Sequence, residues 1–399
     1  MKPLGLYLHI PFCVRKCLYC DFVSYAGKES RLPEYFAALR REWEWYRRQE
    51  WFAEYSPATL YVGGGTPSLA TAELLQIAKM LFGAPLREAT IEVNPGTITL
   101  AQLQQLRQAG FNRLSIGVQS LHDGELKILG RIHTRAEAIA CYQAARQAGF
   151  RNINLDLIFG IPGATLESWQ ATLQAAIALE PEHLSTYNLT LEAGTPFWEL
   201  RQRGQLRLPD EDQQLEMYQT GIAALTQAGY EHYEISNFAR PGQRCQHNQI
   251  YWRNEAYLGL GAGAHSYLNG CRYWNYADLE TYWGRSAKAL LWRPKQSFGT
   301  PSVPATVAGS ERLDLSGEIG ETVMLNLRLL DGLDLTAFHQ RFGQSLATLF
   351  AKPLDKLRAL DLVELAEQRL RLTPKGICLS NEVFQEFIFT TPPHPPLLN

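Results

Sequence analysis

The chain has few of the features that mark secreted, membrane or nucleic-acid-binding proteins. Its 399 residues include seven cysteines, an odd number that does not suit a disulfide framework. No run approaches the roughly 20 apolar residues of a membrane span, and the N-terminus lacks the basic segment, apolar core and cleavage site of a leader. The net charge of -2 gives no sign of nucleic-acid binding. We therefore expect a soluble protein of a reducing compartment, the cytoplasm, with no nucleic-acid partner.

Three of the cysteines are clustered in the run HIPFCVRKCLYCDF, as Cys13, Cys17 and Cys20. Their CxxxCxxC spacing allows one loop to hold a metal or cluster, and it is one thiolate short of a closed four-thiolate site. A [4Fe-4S] cluster on three cysteines keeps one iron without a protein ligand, and that iron can bind a small molecule. The alternative from the residues alone is a zinc site that adds His9, and it stays open here.

Short apolar runs alternate with longer helical patterns over the first half of the chain. The predicted strands are Leu6–Ile10, Thr59–Val62, Ala89–Val93, Arg113–Gly117, Asn152–Ile158 and His183–Leu189. The predicted helices are Leu32–Gln49, Ser68–Leu81, Leu100–Ala109, Arg135–Ala148, Leu166–Ala178 and Asp210–Ala228. Six βα units with short connections predict an α/β fold with a parallel sheet. Because the polar motifs follow strand C-termini, a partial (β/α)6 TIM-like barrel is favoured over an open sheet.

The chain is divided into three predicted segments. They are a barrel over residues 1–235, a segment with the run HNQIYW and a linker over 236–310, and a C-terminal winged-helix-like α+β domain over 311–390. The linker is placed at about 284–317, which is rich in Pro, Gly, Ser and Thr. The last domain is expected to contain a hairpin, LVELAEQRLRLT, and a final helix at Ile377–Phe389. The tail TTPPHPPLLN is expected to be disordered.

Polar residues and glycines occur where the predicted barrel strands end. The glycine run GGGTP at residues 63–67 can bring its backbone N–H groups close to a ligand. Glu92, Gln119 and Asp156 lie in or at the ends of successive strands, and Arg131 lies between the last two. Such polar groups cost free energy in an apolar barrel unless they are hydrogen-bonded, so we expect them to converge on one ligand.

These motifs resemble the radical SAM superfamily and, within it, the oxygen-independent coproporphyrinogen dehydrogenase branch. The matching runs are YLHIPFCxxxCxYC, GGGTPS, IEVNP, GVQS and DLIFGIPG. The resemblance implies a [4Fe-4S] cluster on the three cysteines, with S-adenosylmethionine (SAM) chelated by the open iron. The residues that it assigns to SAM are Tyr7, His9, Tyr19, Gly64, Gly65, Thr66, Glu92, Gln119, Arg131 and Asp156. From the residues alone, Tyr19 suits equally the adenine ring or packing over the cluster.

Two departures from the decarboxylating enzymes stand out. Those enzymes have CxxxCxxCxC, whereas this chain has Phe22 at the last cysteine position, and they have a longer stretch before the first strand. Both features resemble the sister group of heme chaperones called HemW. The HNxxYW signature of that group matches His247, Asn248, Tyr251 and Trp252, which the resemblance assigns to heme binding. A histidine beside large aromatic rings is a chemically reasonable heme site.

The resemblance thus predicts three cofactors or ligands: the [4Fe-4S] cluster, SAM and heme. It implies delivery of heme to acceptor proteins such as membrane respiratory enzymes, and it leaves a homodimer open. His265 and Cys245 are alternative heme ligands because they are close in sequence. The competing functions are an oxygen-independent coproporphyrinogen III dehydrogenase, against which Phe22 and the short N-terminus argue, and a zinc-stabilised binding protein.

Overall fold

The computed structural model describes residues 1–81, 86–289 and 303–388. Most of its strands join one sheet in the order β14-β13-β12-β11-β1-β4-β5-β6-β7-β8-β10-β9. The strands in chain order are β1 Lys2–Ile10, β2 Phe12–Cys13, β3 Tyr25–Ala26, β4 Tyr55–Gly64, β5 Glu88–Val93, β6 Arg113–Gln119, β7 Ile153–Phe159, β8 His183–Asn188, β9 Glu231–Glu234, β10 Asn237–Ala239, β11 Tyr257–Leu260, β12 His265–Leu268, β13 Cys271–Asn275, β14 Val307–Arg312, β15 Leu333–Asp334, β16 Val363–Ala366 and β17 Arg369–Leu372.

The centre of this sheet is the predicted partial barrel. Strands β1, β4, β5, β6, β7 and β8 pair in parallel in that order. They are buried along almost their whole length, as strands covered by helices on one face and by a filled interior on the other must be. The expected fold class, a partial (β/α)6 barrel with a smaller C-terminal domain, is confirmed.

Helices cover the outside and the floor of the barrel and also form most of the C-terminal part of the chain. In chain order they are α1 Leu32–Arg47, α2 Thr71–Leu81, α3 Leu100–Gln108, α4 Asp123–Leu129, α5 Arg135–Gln147, α6 Leu166–Ala178, α7 Pro196–Gln202, α8 Glu211–Gln227, α9 Gln246–Trp252, α10 Leu279–Ala289, α11 Leu315–Asn326, α12 Leu335–Phe342, α13 Leu346–Leu349, α14 Ala351–Ala359, α15 Pro374–Cys378 and α16 Ser380–Gln385. Helices α3, α5, α6 and α8 begin at capping boxes, for example Thr134 with Glu137 before α5. No helix in the described part of the chain is long and apolar enough to cross a membrane.

The segment after the sixth barrel strand differs most from the expectation. Over residues 236–310 the sequence predicts the HNQIYW run and a linker at about 284–317 but no strand, whereas β11 pairs in parallel with β1 and extends the sheet through β12, β13 and β14. Helix α10 lies where the linker was expected to begin, and residues 290–302 lie outside the described residues. Strands β1 and β11 are separated in the sequence by all of the other barrel strands, so local composition does not indicate that they pair.

The C-terminal part of the chain has a hydrophobic core of its own. Its three-stranded sheet has the order β15-β17-β16, and helices α11 to α16 pack on it. The predicted hairpin is β16–β17, with Glu367 and Gln368 at positive φ in its turn. The prediction of a single final helix is wrong, because this region forms two short helices, α15 and α16, which are separated at Leu379. The proline-rich tail lies outside the described residues.

Candidate cluster and cofactor site

The three clustered cysteines lie in the loop that follows β1. Cys13 belongs to the short strand β2, which pairs with β3 and so closes the loop on itself. The side chains of Cys13, Cys17 and Cys20 are free thiols, and all three line one cavity of about 480 Å³ at the C-terminal ends of the barrel strands. The fold therefore directs three sulfur ligands toward one cavity. Residues from the barrel strands line the rest of that cavity.

The surroundings of the sulfur atoms suit thiolates bound to iron. The Thr66 hydroxyl donates to Cys13 Sγ at 3.6 Å, and Arg131 Nη1 donates to Cys17 Sγ at 3.5 Å. Donors of this kind stabilise negative charge on sulfur. Burial nevertheless raises the pKa of the Cys20 thiol to about 11. A bound cation is therefore needed to hold that sulfur as a thiolate near neutral pH, and an iron cluster would supply it.

His9, the fourth ligand of the zinc alternative, is already engaged. Its Nε2 donates to the Val23 carbonyl at 2.8 Å, so its Nδ1 is the acceptor for the Tyr7 hydroxyl at 2.9 Å. Burial lowers the pKa of His9 to about 4, which keeps the ring neutral. Among the described residues, no three His, Cys, Asp or Glu side chains converge to hold one metal ion. A cluster requires thiolates that are farther apart, because each binds a different iron.

The glycine run between β4 and α2 lies directly against the cysteine loop. A Cβ on Gly65 would be 2.7 Å from the Phe12 carbonyl oxygen and 2.8 Å from Cys13 Sγ. Gly64 has φ +119°, and a Cβ there would be 2.7 Å from the His9 ring. Glycine is therefore required at both positions, since any side chain would push the two loops apart. The run lines the cavity, but its N–H groups are already engaged, because Gly65 donates to the Ile10 carbonyl at 2.9 Å and Thr66 to the Phe12 carbonyl at 2.7 Å.

A chain of hydrogen bonds connects the arginine between β6 and β7 to this run. Arg131 Nη2 donates to Asn94 Oδ1 at 2.6 Å and to the Gly117 carbonyl at 2.7 Å, and Asn94 Nδ2 donates to Thr66 Oγ1 at 2.9 Å. Asn94 lines the cavity but was not among the predicted site residues. The signal was present, because Asn94 directly follows β5 in the motif IEVNP.

Two buried carboxylates face the same cavity. Burial and, to a smaller extent, the charge of Asp156 raise the pKa of Glu92 to about 7. Asp156 accepts hydrogen bonds from Ser115 Oγ at 2.9 Å and Asn154 Nδ2 at 2.8 Å, and burial raises its pKa as well. Perturbed carboxylates in a cavity are typical of functional sites. As acceptors they could bind hydroxyl or ammonium groups of a cofactor.

Gln119 is the predicted site residue other than glycine whose backbone is left-handed. It lies at the end of β6 with φ +67°, where the register with β7 shifts. A left-handed conformation is costly for a residue other than glycine and is concentrated at functional sites.

The structure brings most of the ten predicted SAM residues together. Those that line the cavity are Tyr19, Gly64, Gly65, Thr66, Glu92, Gln119, Arg131 and Asp156. Tyr7 and His9 do not line it. They lie one layer below, with His9 under the glycine run and Tyr7 under His9. Their predicted direct contact with a cofactor is therefore at odds with the geometry, and their contribution is to support the residues above them.

The residues of the HNxxYW motif are placed at the opposite end of the barrel. They form helix α9, which closes the floor beneath the strand N-termini. His247 is fully buried, its Nδ1 is 2.8 Å from Thr59 Oγ1 and its Nε2 is 2.8 Å from the Tyr251 hydroxyl. Burial lowers its pKa to about 3. Neither ring nitrogen is free for heme iron, so the predicted heme ligation by His247 disagrees with this structure.

The other predicted heme residues are also engaged or lie elsewhere. The ring of Trp252 is covered by the Arg328 guanidinium at 4.4 Å, and Asn248 on the same helix does not line the cluster cavity. Cys245, one alternative ligand, is buried and its thiol donates to Glu88 at 3.4 Å. His265, the other, is exposed on β12 beside the Trp274 ring, at 6.0 Å between centroids.

Comparisons with known proteins agree with these features. The model of the radical SAM superfamily matches residues 7–176, and that of the HemN C-terminal domain matches residues 314–379. The heme chaperone HemW of Bacillus subtilis is 36% identical over 96% of this chain and 98% of its own length. That of Escherichia coli is 42% identical over 66% of this chain and 70% of its own.

A solved structure shares the architecture from end to end. Coproporphyrinogen III oxidase (HemN) from Escherichia coli, a radical SAM enzyme, superposes with a TM-score of 0.81. The match covers 98% of this chain and 91% of that one at 29% identity. The similarity thus includes both the barrel and the C-terminal domain.

Proposed function

The chain belongs to the HemW family of radical SAM heme chaperones, and on that basis we propose that it binds heme and delivers it to acceptor proteins. In this proposal Cys13, Cys17 and Cys20 hold a [4Fe-4S] cluster whose open iron binds SAM. Respiratory enzymes in the membrane are the acceptors that we expect. The cytoplasm is the expected location, since its reducing conditions keep the thiols free.

The observation that carries the cofactor part is the convergence of three thiols and several polar groups on one cavity. The glycine run lines the cavity without side chains, so a cofactor can approach its backbone closely. Glu92 and Asp156 suit donors such as the ammonium group and the ribose hydroxyls, and Arg131 suits a carboxylate. When bound, a reduced cluster of this kind can supply one electron to SAM.

The exposed residues at the mouth of the cavity suit a flat, apolar ligand. Phe22 is 60% exposed there, and Val14, Ile132 and Tyr187 are also exposed around the same opening. Exposed apolar groups clustered at a cavity mark a binding site for apolar surface, and a porphyrin presents such a surface. Arg15 and Lys16 line the same opening and could pair with propionate groups.

A second candidate is the dehydrogenase reaction of the structural relative. The end-to-end likeness to HemN favours it, while Phe22 at the position of that branch's fourth cysteine disfavours it. In that reaction the protein would place propionate side chains next to the cofactor, and the chemistry would come from SAM.

One experiment separates the two functions. The protein is reconstituted with iron and sulfide without oxygen, given SAM, a strong reductant and coproporphyrinogen III, and its porphyrin products are followed by chromatography. We expect no protoporphyrinogen from a preparation with full iron content, and in parallel we expect binding of added heme and its transfer to an apo-acceptor. Conversion of the porphyrinogen would identify a dehydrogenase, and an intact cluster with neither conversion nor heme binding would reject both functions.

A further inference from the structure

Three side chains form a column that connects the floor of the barrel to the cofactor cavity. The His247 ring stacks on the Tyr61 ring, with 5.4 Å between centroids and 30° between planes. The Tyr61 hydroxyl donates to Glu92 Oε1 at 2.9 Å, and Glu92 Oε2 accepts from the Gly64 N–H at 3.1 Å. We call His247, Tyr61 and Glu92 the floor column. It ends on the glycine run that lies against the cysteine loop.

The base of the floor column is fixed in one place. The His247 ring is held at both nitrogens, by Thr59 and by Tyr251, each at 2.8 Å. Thr59 and Tyr61 are two residues apart on β4, so both point into the barrel. The helix that carries His247 is itself anchored, because the Glu88 carboxylate accepts from the His247 N–H at 2.9 Å. Few other positions of the ring keep all of these contacts.

The top of the floor column has little freedom either. Tyr61 and Glu92 line the cavity, whereas His247 does not. A Cβ on Gly63 would be 3.0 Å from both Glu92 Oε1 and the Tyr61 ring, so these groups pack closely against the run. If the His247 ring is removed, Tyr61 can move toward the floor of the barrel. The hydrogen bonds from Tyr61 to Glu92 and from Gly64 to Glu92 then lengthen together. Interiors transmit such shifts because they are closely packed.

We propose, resting on the proposed binding of SAM, that His247 is a positioning residue for that cofactor. The His247 ring supports Tyr61, and Tyr61 in turn fixes the positions of the Glu92 carboxylate and of the glycine run in the cavity. The histidine of the HNxxYW motif thus acts on SAM from the far side of the barrel and is not a ligand of heme iron.

The test compares SAM binding by wild type, His247→Ala and His247→Phe, with His265→Ala as the control because its histidine is exposed and outside the floor column. Each protein is reconstituted without oxygen to matched iron content. The Kd for SAM is measured by equilibrium dialysis, and the electron paramagnetic resonance spectrum of the reduced cluster is recorded with and without SAM. Heme binding is titrated on the same preparations.

We expect His247→Ala to weaken SAM binding by about threefold to thirtyfold, with a smaller SAM-induced change in the spectrum. His247→Phe keeps a ring under Tyr61 and should recover most of the affinity, and His265→Ala should match wild type in its SAM affinity. Heme affinity should be unchanged in His247→Ala. A merely structural histidine would alter unfolding without shifting SAM affinity at matched iron.

The contrary results are distinct. Wild-type SAM affinity in His247→Ala would overturn the proposal, as would loss of heme binding with SAM affinity intact. If wild type itself binds no SAM, the proposed function fails and this inference with it. Should His247→Ala not fold, Thr59→Val removes one anchor of the ring without touching the cavity. It should then weaken SAM binding in the same direction, and unchanged affinity in that variant would overturn the proposal.

Discussion

The two ends of the barrel hold similar polar residues in very different states. At the floor, Glu88 accepts hydrogen bonds from a thiol and two backbone N–H groups, and His183 is paired at both nitrogens. At the mouth, Glu92 has a pKa raised to about 7 by burial and by Asp156, and Gln119 has a left-handed backbone. Glu88 thus has three donors at the floor, whereas at the mouth two carboxyls lie close enough together for Asp156 to raise the pKa of Glu92, as is common at functional sites.

The comparison also explains why one histidine is easy to misassign. His247 and His265 lie near each other in sequence beside aromatic residues. One is sealed in the floor of the barrel and the other is exposed on the outer part of the sheet. Because residue type does not distinguish them, burial and partners must decide which chemistry each can perform.

The largest expected difference between the two ends concerns iron. Cys17→Ala at the mouth should abolish cluster assembly, because two thiolates remain for four irons. Cys245→Ser at the floor should keep full iron content, since the hydroxyl can still donate to Glu88. Iron and sulfide analysis after anaerobic reconstitution measures both. Full iron in Cys17→Ala, or none in Cys245→Ser, would break the division between mouth and floor.

The free energy of unfolding should be more sensitive to a substitution at the floor than to one at the mouth. Glu88→Ala leaves three donors without a partner, two of them buried, so we expect a loss of about 3 kcal/mol in the free energy of unfolding. Glu92→Gln should change that free energy by less than about 1 kcal/mol or raise it, because burial disfavours the charge that it removes. Urea unfolding of the proteins without cofactors measures both values. A larger loss in Glu92→Gln than in Glu88→Ala would contradict the comparison.

The binding of SAM should depend on pH through Glu92. Burial raises the pKa of this carboxyl to about 7, so it is increasingly protonated as the pH falls below that value. Donors on SAM need the carboxylate, so the Kd should rise by up to about tenfold per pH unit below 7 and level off above it.

The same pKa shift fixes the sign of a stability effect. The folded-state pKa of Glu92 lies above its ordinary value of 4.5. Its contribution to stability should therefore decline as the pH rises from 4.5 to about 7 and stay constant above. Equilibrium dialysis and urea unfolding across this range test both effects, with Glu92→Gln as the control that should lack them. An equally steep pH dependence in the variant would assign the effect to another group.

The smallest effect is expected at Phe22. Phe22→Cys restores the CxxxCxxCxC pattern of the decarboxylating branch, but the side chain is exposed at the cavity mouth and three cysteines already suffice for a cluster. Iron content and SAM affinity should therefore stay within about twofold of wild type, and coproporphyrinogen III should not be converted. Conversion by this variant would show that one residue separates the two functions.

The sequence predicted the barrel well because its elements are defined locally. Short apolar runs that alternate with helical patterns indicated six βα units, and in the structure Gly110 and Gly149 follow helix ends with positive φ. The extension of the sheet by β11 to β14 depends on pairing between distant strands, which no local pattern indicates.

The motifs pointed to eight residues that line one cavity, but they did not point to Tyr61, which lines it as well. Tyr61 shares its strand face with Thr59, and that two-residue alternation was a usable signal for a residue that faces the barrel interior. By contrast, nothing in the run HNQIYW indicated that α9 closes the floor of the barrel. That placement depends on Glu88, more than 150 residues earlier in the chain.

The most direct test of the mouth as a cofactor site is the electron paramagnetic resonance spectrum of the reduced, reconstituted wild-type protein, recorded with and without SAM. A [4Fe-4S] cluster on Cys13, Cys17 and Cys20 should give a signal whose shape changes when SAM binds the open iron. A signal that SAM does not alter, or a protein that retains zinc and no iron, would contradict the assignment of the cavity.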